Sequence, residues 1–260
     1  SYDLIVNFAY DWLPFYLTPF FDVPIAHFVS MGSLSHVMNS AITQVNADFP
    51  GTLGAYTQTQ VDTFPTGLTW QILSSAVDLS QYDYCDTPKS ELAWLGRLSP
   101  EKGLEDAVAA AQQTQTPLKI LGKLENQDYW DTIQRMYPDA PIDYLGFVNT
   151  QQLQATVRNC QGLLMTPRWV EAFGNVAIEA LACGVPVVAY RRGGPAEIID
   201  HGKTGWLVEP DSVPDLVAGI QQLNRIDRHQ CRQQAEQKYS LPALGERFEH
   251  WFETILSQPR

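Results

Sequence analysis

The 260-residue sequence predicts an α/β protein built on doubly wound parallel sheets, arranged as two domains of which the first is short. Three observations carry this. Short apolar runs alternate with longer segments whose apolar residues recur at helical spacing, the order that gives a parallel sheet covered on both faces. Several of the candidate strands end in turn-forming pairs, Gly96-Arg97, Gly122-Lys123, Gly146-Phe147 and Thr166-Pro167, where such a sheet opens its ligand crevice. Finally, a polar, turn-rich stretch at 74–90, holding Asp83, Asp86 and Pro88, separates an irregular first third from a regular remainder and reads as a linker.

The elements follow in order. Residues 3–8 read as a strand and 11–21 as a short helix interrupted by Pro14 and Pro19. Strands at 24–29, 51–56 and 71–73 flank a helix at 36–47. With its linker this first domain covers 1–86, short of the usual domain size of roughly 100–200 residues. The second domain, 87–240, alternates regularly: strands at 92–96, 118–121, 142–145, 162–165, 185–189 and 206–208, with helices at 103–113, 128–136, 150–158 and along the run VAIEALAC, then a short segment at 196–200 and further helices. The last segment, 241–260, is a helix whose Leu244, Phe248, Trp251, Phe252 and Ile255 form a stripe that needs a partner surface.

Composition narrows the class. Apolar residues make up 45% of the chain, enough for a core, and the net charge is −12. Such a field repels nucleic acid and anionic lipid, so neither is an expected partner. The aromatic run at 12–21 is too short to cross a bilayer, and no basic amphipathic helix supports membrane contact. Cys85, Cys160, Cys183 and Cys231 are scattered without metal-ligand spacing and read as reduced thiols of a cytoplasmic protein. An acidic protein that takes an anionic ligand must gather its few cations locally, which singles out Arg97, Lys102, Lys123, Arg168, Arg191 and Arg192.

The densest information lies at 171–198, EAFGNVAIEALACGVPVVAYRRGGPAEI. Glu171 and Glu179 are separated by seven residues, among them Phe173-Gly174-Asn175, which opens a helix. A helix N-terminus offers free N–H groups and a positive dipole end, suited to a phosphate. Glu179 follows five residues later, roughly 7 Å along the axis at 1.5 Å per residue, so one elongated ligand could meet both.

This spacing resembles the E-x7-E signature of the family 4 retaining glycosyltransferases, which have the GT-B fold of two Rossmann-like domains. The resemblance also takes in Leu95-Gly96-Arg97 with Lys102-Gly103, Tyr144-Leu145-Gly146-Phe147, Thr166-Pro167 and the segment Gly202-Lys203-Thr204-Gly205-Trp206-Leu207-Val208, over about half the chain. The wording at 166–198 is further similar to cyanobacterial UDP-glucose:tetrahydrobiopterin glucosyltransferases. The resemblance implies transfer of a hexose, glucose by the last likeness, from a nucleoside diphosphate sugar, UDP-linked by the same likeness, to a hydroxyl of a small molecule or glycan, with no cofactor and no metal. The sequence has no Asp-x-Asp metal motif at a strand end, in agreement. It also implies that the amino-terminal domain here lacks its first strand, a Gly-rich turn and the next strand–helix units.

Roles carried over by resemblance are as follows. Arg97 and Lys102 clamp the diphosphate, Glu171 faces the transferred sugar, and these three are the candidate catalytic residues. Phe173 and Gly174 offer backbone N–H groups to sugar hydroxyls, beside Asn175 and Val176, and Glu179 accepts from the ribose. Gly146, Phe147 and Val148 lie beside the nucleobase, although Phe147 reads equally well as core. Arg168 either serves the site or pairs with Glu171, Arg191 and Arg192 either border the site or are solvated, and Trp169 either shapes an acceptor pocket or packs. The family often places a histidine where this chain has Ser30, while His27, on the opposite strand face, reads as a core histidine. His36 could reach the cleft from the next helix start. The alternative to an enzyme is a non-catalytic nucleotide-sugar binding module. A nicotinamide oxidoreductase would need a Gly-x-Gly-x-x-Gly turn, which the sequence lacks.

Overall fold

The computed structural model describes residues 2–258. Its first sheet is parallel in the order β1-β2-β3-β4, formed by β1 (Ile5–Asn7), β2 (Ile25–Val29), β3 (Leu53–Ala55) and β4 (Trp70–Ile72). The connections carry α1 (Trp12–Leu17), α2 (His36–Asp48) and the short α3 (Gln58–Val61). All five residues of β2 are buried. On one side Phe15, Met38, Ile42 and Val45 cover the sheet.

The second sheet is parallel in the order β10-β9-β8-β5-β6-β7. Its strands are β5 (Lys89–Leu95), β6 (Leu118–Leu121), β7 (Ile142–Gly146), β8 (Cys160–Met165), β9 (Val187–Tyr190) and β10 (Gly205–Val208). Between them run α4 (Leu104–Thr114), α5 (Gln127–Met136), α6 (Thr150–Val157), α7 (Asn175–Ala182) and α8 (Pro195–Ile198), followed by α9 (Val213–Gln221), α10 (Arg228–Lys238) and α11 (Leu241–Ser257). Side chains alternate across the sheet. Leu92 and Trp94 join the core under α4 and α9, while Ala93 and Leu95 join the core under α7 and α10. β5 pairs with both β6 and β8, so the winding reverses between β5 and β8. A crevice outside the carboxyl ends of the strands at such a reversal is where open α/β sheets bind ligands.

The chain passes between the domains twice at one place, where Val77 N–H donates to Tyr239 O over 2.9 Å. After that crossing α11 lies on the first sheet, with Trp251 and Ile255 packed among Ala26, Phe28 and Leu73. The Trp251 indole N–H donates to Gly51 O over 2.9 Å.

Several boundaries differ from the sequence expectation. The proline-interrupted segment at 11–21 is a helix to Leu17 and then a 3-10 turn, Thr18–Phe20. Strand β5 begins at Lys89, inside the stretch read as linker. Strand β9 begins two residues later than expected, because Val185 N–H closes the turn onto Ala180 O at 2.9 Å. Helix α3 has no counterpart in the sequence reading, since its residues QTQV carry no apolar periodicity.

Candidate active site at the winding reversal

Gly96-Arg97 follow β5 and Thr166-Pro167 follow β8, so both stand at the reversal point. Two adjoining depressions open there. One, of about 280 Å³, is lined by Gly96, Arg97, Lys102, Thr166, Pro167, Glu171, Gly174, Asn175 and Val176, with the end of β5 beneath. The other, of about 340 Å³, is lined by Gly122, Lys123, Phe147, Val148, Leu153 and Val176. The first is charged and the second largely apolar in side-chain character. A larger cavity of about 590 Å³ lies at the amino ends of β1 and β2, lined by residues such as Phe21, Pro24 and Phe49. It is on the wrong side of its sheet for the crevice rule and contains none of the candidate residues.

Lys102 ends a 3-10 turn, Pro100–Lys102, and is carried to the site by a backbone approach that only glycine allows at the next position. Gly103 has φ +63°, and a Cβ there would stand 2.1 Å from Thr166 O. Thr166 Oγ1 donates to Gly103 O at 2.7 Å and accepts from the Trp94 indole N–H at 3.2 Å. Arg168 N–H donates to Glu101 O at 2.9 Å. These bonds fasten the turn bearing Lys102 to the loop bearing Glu171, and the two side chains form an ion pair. The Trp169 indole N–H donates to Glu171 Oε2 at 3.1 Å, and the Lys102 ammonium lies 5.2 Å from the Trp169 ring centre. Arg97 pairs with Glu125 at 2.8 Å and Glu101 at 3.3 Å and remains half exposed.

Helix α7 starts at Gly174 with no side-chain cap, and its first residues line the charged depression, so the positive end of its dipole faces that space. Glu179 lies one turn along the same side from Val176. It lines neither depression, and its Oε1 accepts from the Tyr82 hydroxyl at 3.1 Å. Burial raises the Glu179 carboxyl above its ordinary range, opposed in part by that bond. Phe173 points away from the site and is buried between Tyr56 and Tyr239, so only its backbone is left to face a ligand. Phe147 is 82% exposed at the rim of the apolar depression, which removes the core reading for it. Gly146 ends β7 just before it and Val148 lines the same space.

Other singled-out residues fall elsewhere. Arg168 pairs not with Glu171 but with Glu105 at 3.1 Å and Asp106 at 2.9 Å, because the start of α4 brings both acids beneath it. Arg192 pairs with Asp211 and donates to Pro167 O, bracing the loop rather than lining the cleft. Arg191 is exposed over a separate depression beside His201 and Trp206. His36 begins α2 and is exposed. His27 is fully buried, stacked on Phe15 at 4.3 Å, with both ring nitrogens bonded. The sequence reading missed Glu125 and Tyr82, the partners of Arg97 and Glu179. Glu125 had a signal, its place just after a strand end beside Lys123; Tyr82 had none, since the linker's path is set by tertiary packing.

Residues 86–238 match the sequence profile of the glycosyl transferases group 1. The chain is 28% identical over 241 residues to a glycogen synthase of Mycobacterium tuberculosis, covering 82% of this chain and 58% of that protein's length. It is 35% identical over 143 residues to a D-inositol 3-phosphate glycosyltransferase of Pseudarthrobacter chlorophenolicus, covering 51% of this chain and 34% of that one. Among solved structures, Anabaena Alr3699/HepE in complex with UDP superposes with a TM-score of 0.83 at 20% identity, over 97% of this chain and 79% of that one. Sucrose-phosphate synthase from Thermosynechococcus elongatus gives 0.79 at 18% identity, over 98% and 74%. These superpositions give the fold, the GT-B arrangement of two Rossmann-like domains.

Proposed function

The chain belongs to the group 1 glycosyl transferases, and from that premise we propose that it serves a retaining, metal-independent transfer of a hexose, glucose first among candidates, from a UDP-linked donor to a hydroxyl acceptor. One observation supports this above the others: Arg97, Lys102, Glu171 and the uncapped start of α7 converge on one depression, beside a second depression walled by Phe147 and Val148. The first suits a sugar diphosphate and the second the flat face of a base.

In this reading the donor diphosphate exchanges places with the acids that now hold the cations. Lys102 and Arg97 turn from Glu171 and Glu125 to the phosphate oxygens, with the α7 amides beside them. Breaking the sugar–phosphate bond leaves added negative charge on the diphosphate, which fixed cations stabilise. Glu171, released from Lys102 and still held by Trp169, accepts from a sugar hydroxyl, with the backbone N–H groups of Phe173 and Gly174 alongside. Glu179 takes the ribose hydroxyls near Tyr82. A diphosphate oxygen on the same face of the sugar takes the acceptor proton, so the protein contributes positioning and charge. The acceptor is a small molecule or a glycan, a pterin being the first to try by the likeness noted above. A cytoplasmic site of action belongs to the same proposal; among the described residues no helix is long and apolar enough to cross a membrane.

Calorimetry with UDP, GDP and ADP tests the donor assignment. Saturable binding of UDP is expected, and no heat at millimolar nucleotide would overturn the site. Release of glucose from UDP-glucose, with or without acceptor, separates a transferase from a nucleotide-sugar binding module, which binds without turnover.

A further inference from the structure

Helix α3 has four amide N–H groups at its start, and only two find partners nearby. Gln60 N–H donates to Thr57 Oγ1 at 3.0 Å and Val61 N–H to Thr57 O at 3.2 Å. Those of Gln58 and Thr59 reach across to the second domain, to the two carboxylate oxygens of Glu197, at 3.1 Å and 2.6 Å. The Thr59 hydroxyl donates to the same carboxylate. A helix of four residues does not hold itself; the buried Gln60 side chain ties α3 to its own domain through Tyr56 N–H, Val29 O and Met31 O, and the Glu197 carboxylate meets its open start from the second domain.

The same carboxylate sits on α8, and the turn just before α8 lies directly on the backbone of the candidate donor loop. Gly194 N–H donates to Glu171 O at 2.7 Å. A Cβ on Gly194 would stand 2.1 Å from Phe173 O, so any side chain there would push the turn off the loop. From the other side, the Thr57 hydroxyl donates to Ala172 O at 2.8 Å, and the Tyr56 ring lies 5.4 Å from that of Phe173. Residues 56–59, α8 and the loop 171–174 therefore close a ring of contacts, which the Glu197 carboxylate completes.

We propose that Glu197 is a positioning residue that fastens the first domain to the loop carrying Glu171, so that this loop takes its working geometry only when the first domain is seated. The proposal rests on the reading that the loop faces the donor sugar. The test compares Glu197→Ala and Glu197→Gln with the wild type. In Glu197→Ala, amide exchange at Gln58, Thr59 and Gly194 is expected to quicken at least about 10-fold, the scale of losing bonds to a charged acceptor, with Leu164 in β8 unchanged. UDP affinity should stay within about twofold while kcat for UDP-glucose falls about 10-fold, the split expected of a group that orders the reacting geometry. Glu197→Gln, which keeps one acceptor oxygen, should fall between. Unchanged exchange, or faster exchange with a wild-type kcat, overturns the proposal. A wild-type chain that binds no UDP sinks the functional reading instead, and exchange at Gly194 then decides alone whether Glu197 holds the loop.

Discussion

Lys102 and Arg97 both carry acid partners, but the two ion pairs differ in burial and so in what their loss should do. Arg97 is half exposed, and exposed pairs contribute about 0–1 kcal/mol. Arg97→Ala should therefore leave the urea midpoint almost unchanged while lowering kcat/KM about 10²–10³-fold, the usual cost of one preorganised charge-stabilising group. The Lys102 and Glu171 side chains are 20% and 16% exposed, so Lys102→Ala leaves a half-buried carboxylate held by Trp169 alone. It should cost about 1–2 kcal/mol more in stability than Arg97→Ala and weaken UDP more than uridine. Equal loss of both ligands would make the pair structural. His27 supplies a pH signature. Asn7 Oδ1 accepts from Ala9 N–H, which turns the Asn7 amide N–H₂ toward His27 Nδ1; the imidazole is thus neutral and donates from Nε2 to Thr18. Burial pushes its pKa down to about 4. Unfolded histidine titrates near 6.5, so the contribution is complete above that pH. It is lost at up to about 1.4 kcal/mol per pH unit as pH falls from about 6.5 to about 4, because only the unfolded chain takes the proton. Urea titrations between pH 7.5 and 4.5 should show a shallower pH slope for His27→Gln than for wild type; identical slopes would remove His27 as the cause.

The elements of the second domain were legible because burial on both faces writes itself as unbroken apolar strands, such as LAWL in β5 and VVAY in β9, between helices with clear periodicity. Those of the first domain were less so. β1 and β3 are three residues each, and α3 is held by the buried Gln60 side chain and by a carboxylate far along the chain, contacts that no local pattern can announce. The site was legible in the same uneven way. The spacing of Glu171 and Glu179 and the strand-end pairs pointed to the sheet edge where the two depressions open, but which acid meets which cation depended on how α4 turns under the loop, and this sent Arg168 to Glu105 and Asp106. Helix α11 gives a test at this scale. Trp251 is 1% exposed and lies against Gly54, whose added Cβ would meet its ring at 2.8 Å. Trp251→Ala should cost about 3–5 kcal/mol, and Trp251→Phe about 1–2 kcal/mol for the unmet Gly51 carbonyl. A urea midpoint unmoved by Trp251→Ala would mean that α11 does not hold the first domain together.

For the molecule as a whole, the acidic net charge and the gathered cations at one sheet edge act together. Anionic ligands are repelled except where Arg97, Lys102 and the α7 dipole end offset the field, so donor binding should strengthen, not weaken, when modest salt screens the surface acids more than the half-buried pair. UDP titrations at about 20 and 150 mM salt would show the sign, and a steep loss of affinity with salt would count against it. The doubled crossing at Val77 and Tyr239 has a consequence of a different kind. The chain enters and leaves the second domain through neighbouring residues hydrogen-bonded to each other, so topologically one domain is spliced into the other like a bead on a closed loop. Such a bead can be lifted out. A polypeptide of residues 77–240 keeps every strand of the six-stranded sheet and both depressions, and its ends already meet. The gap left behind can be bridged by a few glycines in place of a long excursion, at a lower closure entropy than the native chain carries. Each half could then be traded separately between related proteins, as a cassette whose two seams coincide in space.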